Sequence, residues 1–406
     1  MKKRMNILFI ARWFPCPQDN GSRIRTFSLL KGLAENHKIT LISFTQQAPS
    51  HEDLQQVREL CEPIYTFPFK EFNANSFKSI LGFFSPTPRS VKDTHSPAMA
   101  RQVLDTCQQQ NFDLVLASEM GAVPYALLAH GSFRVWDDVE LASFRDQFLK
   151  QRNPLFRLRY ALTWWKICGY VRRTLSSFDG CTVVSEQERA ILTEVVPTYR
   201  KVELVPNGVD LDSKSGDFGP SERDTLIYPG SLTYDANLDA MEFFLEKIFP
   251  LIRSSHPSAE LKITGNHEGV PLNPSFSEEG VNLTGYLKNI KEAVAESWVC
   301  VVPLRKGAGT RLKILEAMAL GTPVVSTKKG AEGIDVTHEK NILIADEPRL
   351  FADAVNRLLE DEQLRQQLSL NGRRLVEERY GWDQCAARLV GFVEGIASDR
   401  EAQVRT

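Results

Sequence analysis

Three charged side chains at the start of one helical pattern carry the clearest chemical signal in this sequence of 406 residues. Arg311 and Lys313 follow a glycine-containing loop at 307–310, and Glu316 comes one turn later. A helix normally prefers acidic residues in its first turn, so two cations there need a reason other than helix stability. Because a helix start offers free backbone N–H groups and a positive dipole end, the pattern predicts that a diphosphate binds there.

The roles within this predicted site follow from position. Backbone N–H groups near Gly309 and Thr310 would hold phosphate oxygens, and Arg311 and Lys313 would stabilise negative charge that grows on a departing diphosphate. Glu316 would accept hydrogen bonds from a ribose diol. An ordinary strand-to-helix loop, with Glu316 in solvent, is the alternative that the glycine pattern alone leaves open.

Short apolar runs alternate with helical patterns on both sides of this loop, and they define the elements that must position it. In the first half, strands are predicted at 6–10, 38–44, 112–117, 133–136, 180–184 and 201–205, with a helix at 22–35. In the second half, strands are predicted at 225–228, 259–264, 281–283, 299–302, 323–326 and 341–345, with helices at 238–252 and 311–320. Continuously apolar strands indicate parallel sheets covered on both faces, so the fold class is α/β with two doubly wound, Rossmann-like domains.

A segment rich in Gly, Pro, Ser and Asp separates the two halves. We therefore place a first domain at 1–205, a linker at 206–222 and a second domain at 223–380. The helical tail at 381–406 is expected to return towards the first domain. A chain of this length is too long for one hydrophobic core, which agrees with two domains.

Composition excludes several classes of protein. Hydrophobic residues make up 42% of the chain and charged residues 25%, which argues against long disorder, and a net charge of −2 gives no general reason to expect a nucleic acid partner. No apolar stretch approaches the ~18 residues of a spanning helix. The seven cysteines include no CxxC pair, so we expect reduced thiols, no metal site and a cytoplasmic protein.

A longer string around the predicted site resembles a known family. Glu316-Ala317-Met318-Ala319 and Gly321-Thr322-Pro323-Val324-Val325 are similar to the donor-site signature of the retaining glycosyltransferases of family four, which share the GT-B fold. Ala308 stands where that family has its first glutamate. The string GAGTRLKILEAMA instead resembles a subgroup with GTRxK in the loop, often met in exopolysaccharide and surface-glycan biosynthesis.

The resemblance extends to other candidate donor-binding residues. Gly230 and Ser231 lie in a turn where the family approaches phosphate, and Ser231 stands near a position usually held by a basic residue. Tyr286 follows a turn that lines the base pocket in the family, where an aromatic ring could stack on a base; a tyrosine packed at a strand end is the alternative. Gly21 and Ser22 belong to a loop that resembles the family's glycine loop, which faces the cleft between the domains.

Two acidic residues follow the predicted strand at 133–136. Asp137 occupies the position of a histidine in the family, and either Asp137 or Asp138 could orient a hydroxyl or act as a catalytic base. Capping of the next helix is the structural alternative, since aspartate is favoured at that position.

The spacing of basic residues in one segment predicts a further partner. Residues 147–178 contain seven basic side chains and no acid, and Arg152, Arg159, Lys166 and Arg173 recur every seven residues. A basic amphipathic helix over 150–173 suits an anionic membrane surface. A helix that packs on the core and keeps its basic face in water is the alternative.

The resemblance implies a retaining, metal-independent hexosyltransferase that needs no cofactor. It would move a sugar from a nucleoside diphosphate sugar to a hydroxyl of a glycan or lipid-linked acceptor in surface-polysaccharide biosynthesis, in the cytoplasm or at the inner face of the membrane. A non-hydrolysing sugar-nucleotide epimerase has the same architecture and is one alternative. A sugar-nucleotide-binding scaffold without activity is the other, because Ala308 replaces the family glutamate.

Overall fold

The computed structural model describes residues 4–151, 153–211, 222–307 and 311–404, with side chains through residue 399. The chain forms two compact units. Unit 1 contains residues 1–207 and 383–406, and unit 2 contains residues 208–382. The division falls after Asn207, within the segment that the sequence predicts as the linker; residues 212–221 of that segment lie outside the described part.

Unit 1 contains, among the described residues, one sheet of seven parallel strands in the order β3-β2-β1-β4-β5-β6-β7. The strands are β1 (Asn6–Ala11), β2 (Lys38–Thr45), β3 (Ile64–Pro68), β4 (Leu114–Ser118), β5 (Phe133–Asp137), β6 (Gly180–Val183) and β7 (Val202–Leu204). The helices between them are α1 (Gly21–Ala34), α2 (His51–Arg58), α3 (Phe77–Leu81), α4 (Arg89–Asp93), α5 (Pro97–Gln109), α6 (Glu119–Ala126), α7 (Ala142–Lys150), α8 (Pro154–Leu175) and α9 (Glu186–Val195), with a 3₁₀ turn at Gly82–Phe84.

Unit 2 repeats this plan with six parallel strands among its described residues, in the order β10-β9-β8-β11-β12-β13. The strands are β8 (Glu222–Pro229), β9 (Glu260–Thr264), β10 (Val281–Gly285), β11 (Ser297–Val302), β12 (Val324–Ser326) and β13 (Leu343–Ile344). The helices are α10 (Asp235–Lys247), α11 (Phe249–Ser255), α12 (Ile290–Ala295), α13 (Leu312–Ala319), α14 (Pro348–Glu360) and α15 (Glu362–Arg379), with a 3₁₀ turn at Pro274–Ser277.

The last helix, α16 (Trp382–Val404), returns the chain to unit 1. Its inward side chains recur at helical spacing and join the apolar cluster on one face of the first sheet. Gly32 of α1 lets the two helices approach, because a Cβ there would lie 2.5 Å from the Cβ of Ala386. The inward side chains are Ala386, Leu389, Val393 and Ile396.

Both faces of each sheet are covered, as the continuously apolar strands predict. Along β1, Leu8 and Ile10 join one buried cluster, whereas Ile7 and Phe9 join the cluster on the opposite face. Unit 2 has an equivalent pair of clusters. No helix among the described residues is long and apolar enough to cross a membrane.

The single helix predicted at 238–252 is wrong, because the structure has two helices with a break at Ile248. Pro250 lies at the start of α11, where its missing N–H costs nothing. A proline inside one continuous helix would clash with the preceding turn.

Candidate functional site

The candidate donor site lies at the carboxyl ends of β8 and β11 in unit 2. These neighbouring strands mark the point where strand order reverses, since β8 leads to β9 on one side and β11 leads to β12 on the other. Loops that leave such a point in opposite directions open a crevice, which is where open α/β sheets bind ligands. Gly230 and Ser231 follow β8, and Arg311 and Lys313 follow β11 at the start of α13.

Lys313 is held against the loop that follows β8. Its Nζ donates to Oδ1 of Asn237 at 3.1 Å and lies 3.9 Å from the centroid of the Tyr228 ring. Asn237 is itself fixed, because its Oδ1 also accepts from the Tyr228 hydroxyl at 2.7 Å and its Nδ2 donates to the carbonyl of Ser231 at 2.7 Å. The ammonium group is therefore positioned before any ligand arrives.

Two glycines keep this crevice open. A Cβ on Gly230 would lie 2.6 Å from Nζ of Lys313, so a side chain there would displace the ammonium group. Gly265, which follows β9, has a φ of +98°, and a Cβ there would lie 2.7 Å from the backbone nitrogen of Ser231. The Ser231 hydroxyl donates to the carbonyl of Asn266 at 2.7 Å, which ties the loops after β8 and β9 together.

Arg311 occupies the N-cap position of α13 rather than the first turn that the sequence predicts, and it is buried. Its guanidinium group lies over Gly307, which has a φ of +99°. A Cβ added at Gly307 would lie 3.1 Å from the Arg311 side chain. Burial lowers the pKa of Arg311, while the neighbouring Tyr234 and Glu332 act in the opposite direction. Gly309 and Thr310, predicted to bind phosphate, and Ala308 lie outside the described residues.

Lys313 has an unusual acidity for a lysine. Burial lowers the pKa of its ammonium group to about 7, and the positive charge of Arg311 acts in the same direction, whereas Cys300 and Glu316 oppose the shift. An anionic ligand beside these two side chains would favour the charged form of both. The arrangement is suited to a ligand that carries negative charge.

Two other predicted donor-site residues lie at nearby strand and helix ends. Glu316 is half-buried in the second turn of α13, where its charge acts on Lys313. Tyr286 follows β10, and its side chain is 84% exposed. The alternative of a tyrosine packed at a strand end is therefore wrong, although its role in stacking stays a prediction.

Asp137, predicted as a catalytic candidate, is instead part of a buried ion pair in unit 1. Its Oδ1 accepts from Arg25 at 2.7 Å and from the Thr182 hydroxyl at 2.6 Å, and its Oδ2 accepts from Arg25 at 3.2 Å. Arg25 also donates to the carbonyl of Val205 at 2.9 Å. Because no part of Asp137 is exposed, this geometry does not support a hydroxyl-binding role and makes the carboxylate a structural anchor.

Asp138 has a more strained backbone and a less satisfied carboxylate than Asp137. Its φ of +62° is rare for a residue with a side chain, and its Oδ1 has no hydrogen-bond partner among the residues that the structure describes. Burial raises the pKa of the carboxyl group well above its usual value; Arg25 opposes this shift, and the negative charges of Asp137, Glu140 and Glu119 add to it. The side chain could hold a proton or exchange one with a hydroxyl.

The alternative that Asp137 or Asp138 caps the next helix is wrong. Helix α7 begins at Ala142, with Leu141 at its N-cap position. The carboxylate of Glu188 accepts from the backbone nitrogens of Leu141 at 2.8 Å and Ala142 at 3.0 Å.

Glu119 is a candidate that the sequence reasoning missed. It is the first residue of α6, directly after β4, and its φ is +63°. Its carboxylate pairs with Arg12 at 3.0 Å, and burial raises its pKa while Arg12 and Ser22 act in the opposite direction. Ser22 and Gly21 begin α1 after β1, so this group lies where the strand order of the first sheet reverses. In the sequence, the signal for Glu119 is its place directly after an apolar strand.

Comparisons with known proteins identify both halves of the chain. Residues 19–213 match the family model described as "Glycosyltransferase Family 4", and residues 223–361 match the model described as "Glycosyl transferases group 1". Both models describe glycosyltransferases, which favours a transferase over an epimerase of the same architecture.

Individual relatives agree with these matches. An uncharacterised 44.6 kDa protein in the cps region of Klebsiella pneumoniae is 22% identical over 398 residues, which cover 92% of this chain and 96% of that protein. The GDP-mannose-dependent α-(1-6)-phosphatidylinositol monomannoside mannosyltransferase of Mycobacterium tuberculosis is 27% identical over 252 residues, or 55% of this chain and 64% of that enzyme.

A solved structure supports the fold. HepE from Anabaena, crystallised with UDP, superposes with a TM-score of 0.67 at 15% identity, over 96% of this chain and 100% of that one. The two doubly wound parallel sheets are those of the GT-B fold. With a family 4 match in its first half and a group 1 match in its second, the chain is a glycosyltransferase of the GT-B type.

Proposed function

We propose that this glycosyltransferase binds a nucleoside diphosphate sugar in unit 2 and transfers the sugar, with retention of configuration, to a hydroxyl of a glycan or lipid-linked acceptor. The observation that carries the proposal is the pair of cations at the strand reversal of unit 2. Arg311 and Lys313 lie there beside the close backbone approach at Gly230. The HepE structures with UDP and with UDP-glucose provide support from proteins of the same fold.

The proposed chemistry is electrostatic. As the bond between the sugar and the diphosphate breaks, negative charge grows on the phosphate oxygens. Fixed cations in a partly dry site stabilise that charge more strongly than water does, and they need no reorganisation when the charge appears. Lys313 suits this role because Asn237 and Tyr228 already hold its ammonium group.

The other roles are assigned by position. Glu316 would accept hydrogen bonds from the ribose, and Tyr286, at the end of β10, would stack on the base. Gly230 and Ser231 would let the backbone contact phosphate, together with the backbone at Gly309 and Thr310. In unit 1, the raised pKa of Asp138 fits a group that orients or exchanges a proton with a substrate hydroxyl.

The acceptor class is proposed from relatives and from the GTRxK loop. The mycobacterial relative is named for a phosphatidylinositol monomannoside, and the Klebsiella relative for the cps region. Together with the sequence resemblance to surface-glycan transferases, these names support an acceptor made of a glycan that is attached to a lipid. No separate cofactor is needed for such a transfer.

The test is a product assay with a panel of nucleoside diphosphate sugars and lipid-linked glycan acceptors. We expect release of the nucleoside diphosphate together with a new glycosidic bond, and the anomeric proton coupling in the product should match that of the donor. A chelator should leave the rate unchanged, because side-chain cations would stabilise the leaving group. An inverted product would contradict retention, loss of activity with chelator would contradict metal independence, and an epimerised donor without transfer would contradict the transferase chemistry.

A further inference from the structure

An exposed apolar surface on unit 1 is not used by the proposed transfer. Helix α8 packs on the core through Trp164, Ile167 and Val171, as the structural alternative from the sequence predicted. Its opposite face also carries apolar side chains, and all of them are exposed. At ~100° per residue these side chains fall within an arc of about 80° on the helix. They form the outer stripe, which consists of Leu155, Leu158, Leu162 and Trp165.

A second segment extends this surface. The arm, defined as residues 72–84, comprises the short helix α3, the following 3₁₀ turn and the residues before them. Phe84 at its end is 90% exposed and Phe77 is 75% exposed. Lone apolar side chains on a surface are common, but a contiguous group of large ones marks an interaction site.

Basic side chains of α8 fasten the arm to the helix. The ammonium group of Lys166 donates to the carbonyls of Gly82, at 3.0 Å, and of Phe83. Arg173 donates to the carbonyl of Pro86 at 2.8 Å. The arm and the outer stripe therefore form one continuous surface, and the basic face predicted from the sevenfold spacing is partly engaged rather than wholly solvated. Arg152 of that face lies outside the described residues.

The charge around this surface has one sign. Residues 72–92 contain three basic residues and residues 147–178 contain seven, which makes ten in total, and neither range contains an acid. Of the acids at the margins, Asp93 is buried and pairs with Lys70 at 2.8 Å, and Asp146 pairs with Lys150 at 2.5 Å, whereas Glu71 is exposed. Any partner of this surface must therefore combine apolar contact with negative charge.

We propose that the outer stripe and the arm form a docking surface for an anionic lipid bilayer. Trp, Phe and Leu side chains would enter the boundary between headgroups and acyl chains, while the flanking Arg and Lys side chains contact lipid phosphates. A second copy of this chain fits less well, because a twofold interface would bring two basic surfaces together. The proposal is independent of the donor site, since it requires no nucleotide.

Co-sedimentation of the full chain with vesicles, without nucleotide, tests this surface. We expect binding to phosphatidylcholine mixed with phosphatidylglycerol, at least about tenfold stronger than to phosphatidylcholine alone, and weaker in high salt. Leu155→Ser with Leu158→Ser should reduce the binding by about tenfold or more, and Phe77→Ser with Phe84→Ser should do the same. Arg157→Gln with Arg159→Gln should reduce binding to the anionic vesicles only.

Matched controls lie in unit 2. Leu350→Ser with Leu370→Ser changes two exposed leucines, and Leu370 at 70% exposure is comparable to Leu155 at 79%. Lys247→Gln with Lys340→Gln removes two exposed cations. Unchanged binding in both controls, with circular dichroism spectra equal to the wild type in all variants, would support the proposal.

Three results would overturn the proposal. The first is a wild-type chain that does not bind anionic vesicles. The second is equal loss of binding in the unit 1 variants and the unit 2 controls. The third is a dimer in size-exclusion chromatography that the outer-stripe substitutions dissociate, without any vesicle binding, since it would assign the surface to a second copy instead.

Discussion

At the scale of single residues, two aspartates that are neighbours in sequence have opposite environments. Asp137 points into the interior, where Arg25 and Thr182 satisfy its carboxylate, whereas Asp138 adopts a left-handed backbone and keeps one oxygen without a partner among the described residues. The sequence could indicate two carboxylates after a strand, but it could not tell which one faces inward. That choice depends on Arg25, which lies 112 positions away.

Substitution of the two aspartates should separate stability from activity. Asp137→Ala leaves the buried Arg25 guanidinium without its counter-charge, so we expect the unfolding free energy of unit 1 to fall by about 3–5 kcal/mol. Asparagine tolerates a left-handed backbone, so Asp138→Asn should leave the unfolding free energy of unit 1 unchanged. The same substitution should lower the transfer rate. Chemical denaturation and the product assay measure the two effects. Equal destabilisation by both substitutions would contradict a purely structural role for Asp137 and a role in transfer for Asp138.

The acidity of Lys313 gives a prediction about pH. With a pKa of about 7 in the free protein, Lys313 loses its charge as the pH rises above that value. A bound diphosphate favours the charged form and raises this pKa, so the complex holds more protons than the free protein above pH 7. The affinity for a nucleoside diphosphate sugar should therefore fall as the pH rises from about 7 to 9.

Calorimetry in buffers of different ionisation enthalpy would measure this proton uptake directly. Lys313→Arg is the matched control, because arginine stays charged throughout this range and should flatten the pH dependence. An affinity that does not change with pH in the wild type, or that changes equally in Lys313→Arg, would contradict the role of Lys313.

At the scale of elements, the site depends on where strands end. Continuous apolar runs predicted most strands of both sheets, since a parallel strand buried on both faces needs them. Strand β3 was missed because it is a half-buried edge strand of five residues that starts directly after Pro63 and ends at Pro68. The contact between Lys313 and Asn237, 76 positions apart, could not be predicted either, because it needs the β8–β11 pairing.

The turn after β8 gives a prediction at this scale. Gly230→Ala would place a Cβ 2.6 Å from Nζ of Lys313 and push the ammonium group away from Asn237. Loss of one charge-assisted hydrogen bond costs about 1.5–3 kcal/mol, so we expect donor affinity to fall by roughly tenfold or more. Gly391→Ala in α16, where a Cβ meets no atom within 4 Å, is the control and should bind donor normally. Normal affinity in Gly230→Ala would contradict the close approach.

At the scale of the whole molecule, the two units share one strand arrangement but carry differently charged side chains near the reversal of strand order. Unit 1 has the acid Glu119 at this reversal and Asp138 at the end of the neighbouring strand β5, whereas unit 2 has the cations Arg311 and Lys313 at its reversal. The sequence predicted two domains because their patterns repeat after the linker. It predicted the cations of unit 2 because they lie in one short string, but it missed Glu119 because only the fold brings Glu119 to Arg12.

We propose that Arg311, Lys313 and Glu316 together hold the diphosphate and ribose of the donor. Thermal-shift titration with a panel of nucleoside diphosphates and their sugar conjugates tests it most directly, because a ligand that binds only the folded chain raises its apparent stability. Arg311→Ala and Glu316→Ala are the test variants. Lys306→Ala is the matched control, since Lys306 lies in the same loop but pairs with Asp235 at 2.7 Å. We expect one diphosphate to raise the melting temperature of the wild type and of the control but of neither test variant. A folded wild type that shifts with no nucleotide, or a shift that Arg311→Ala retains, would rule out this donor site.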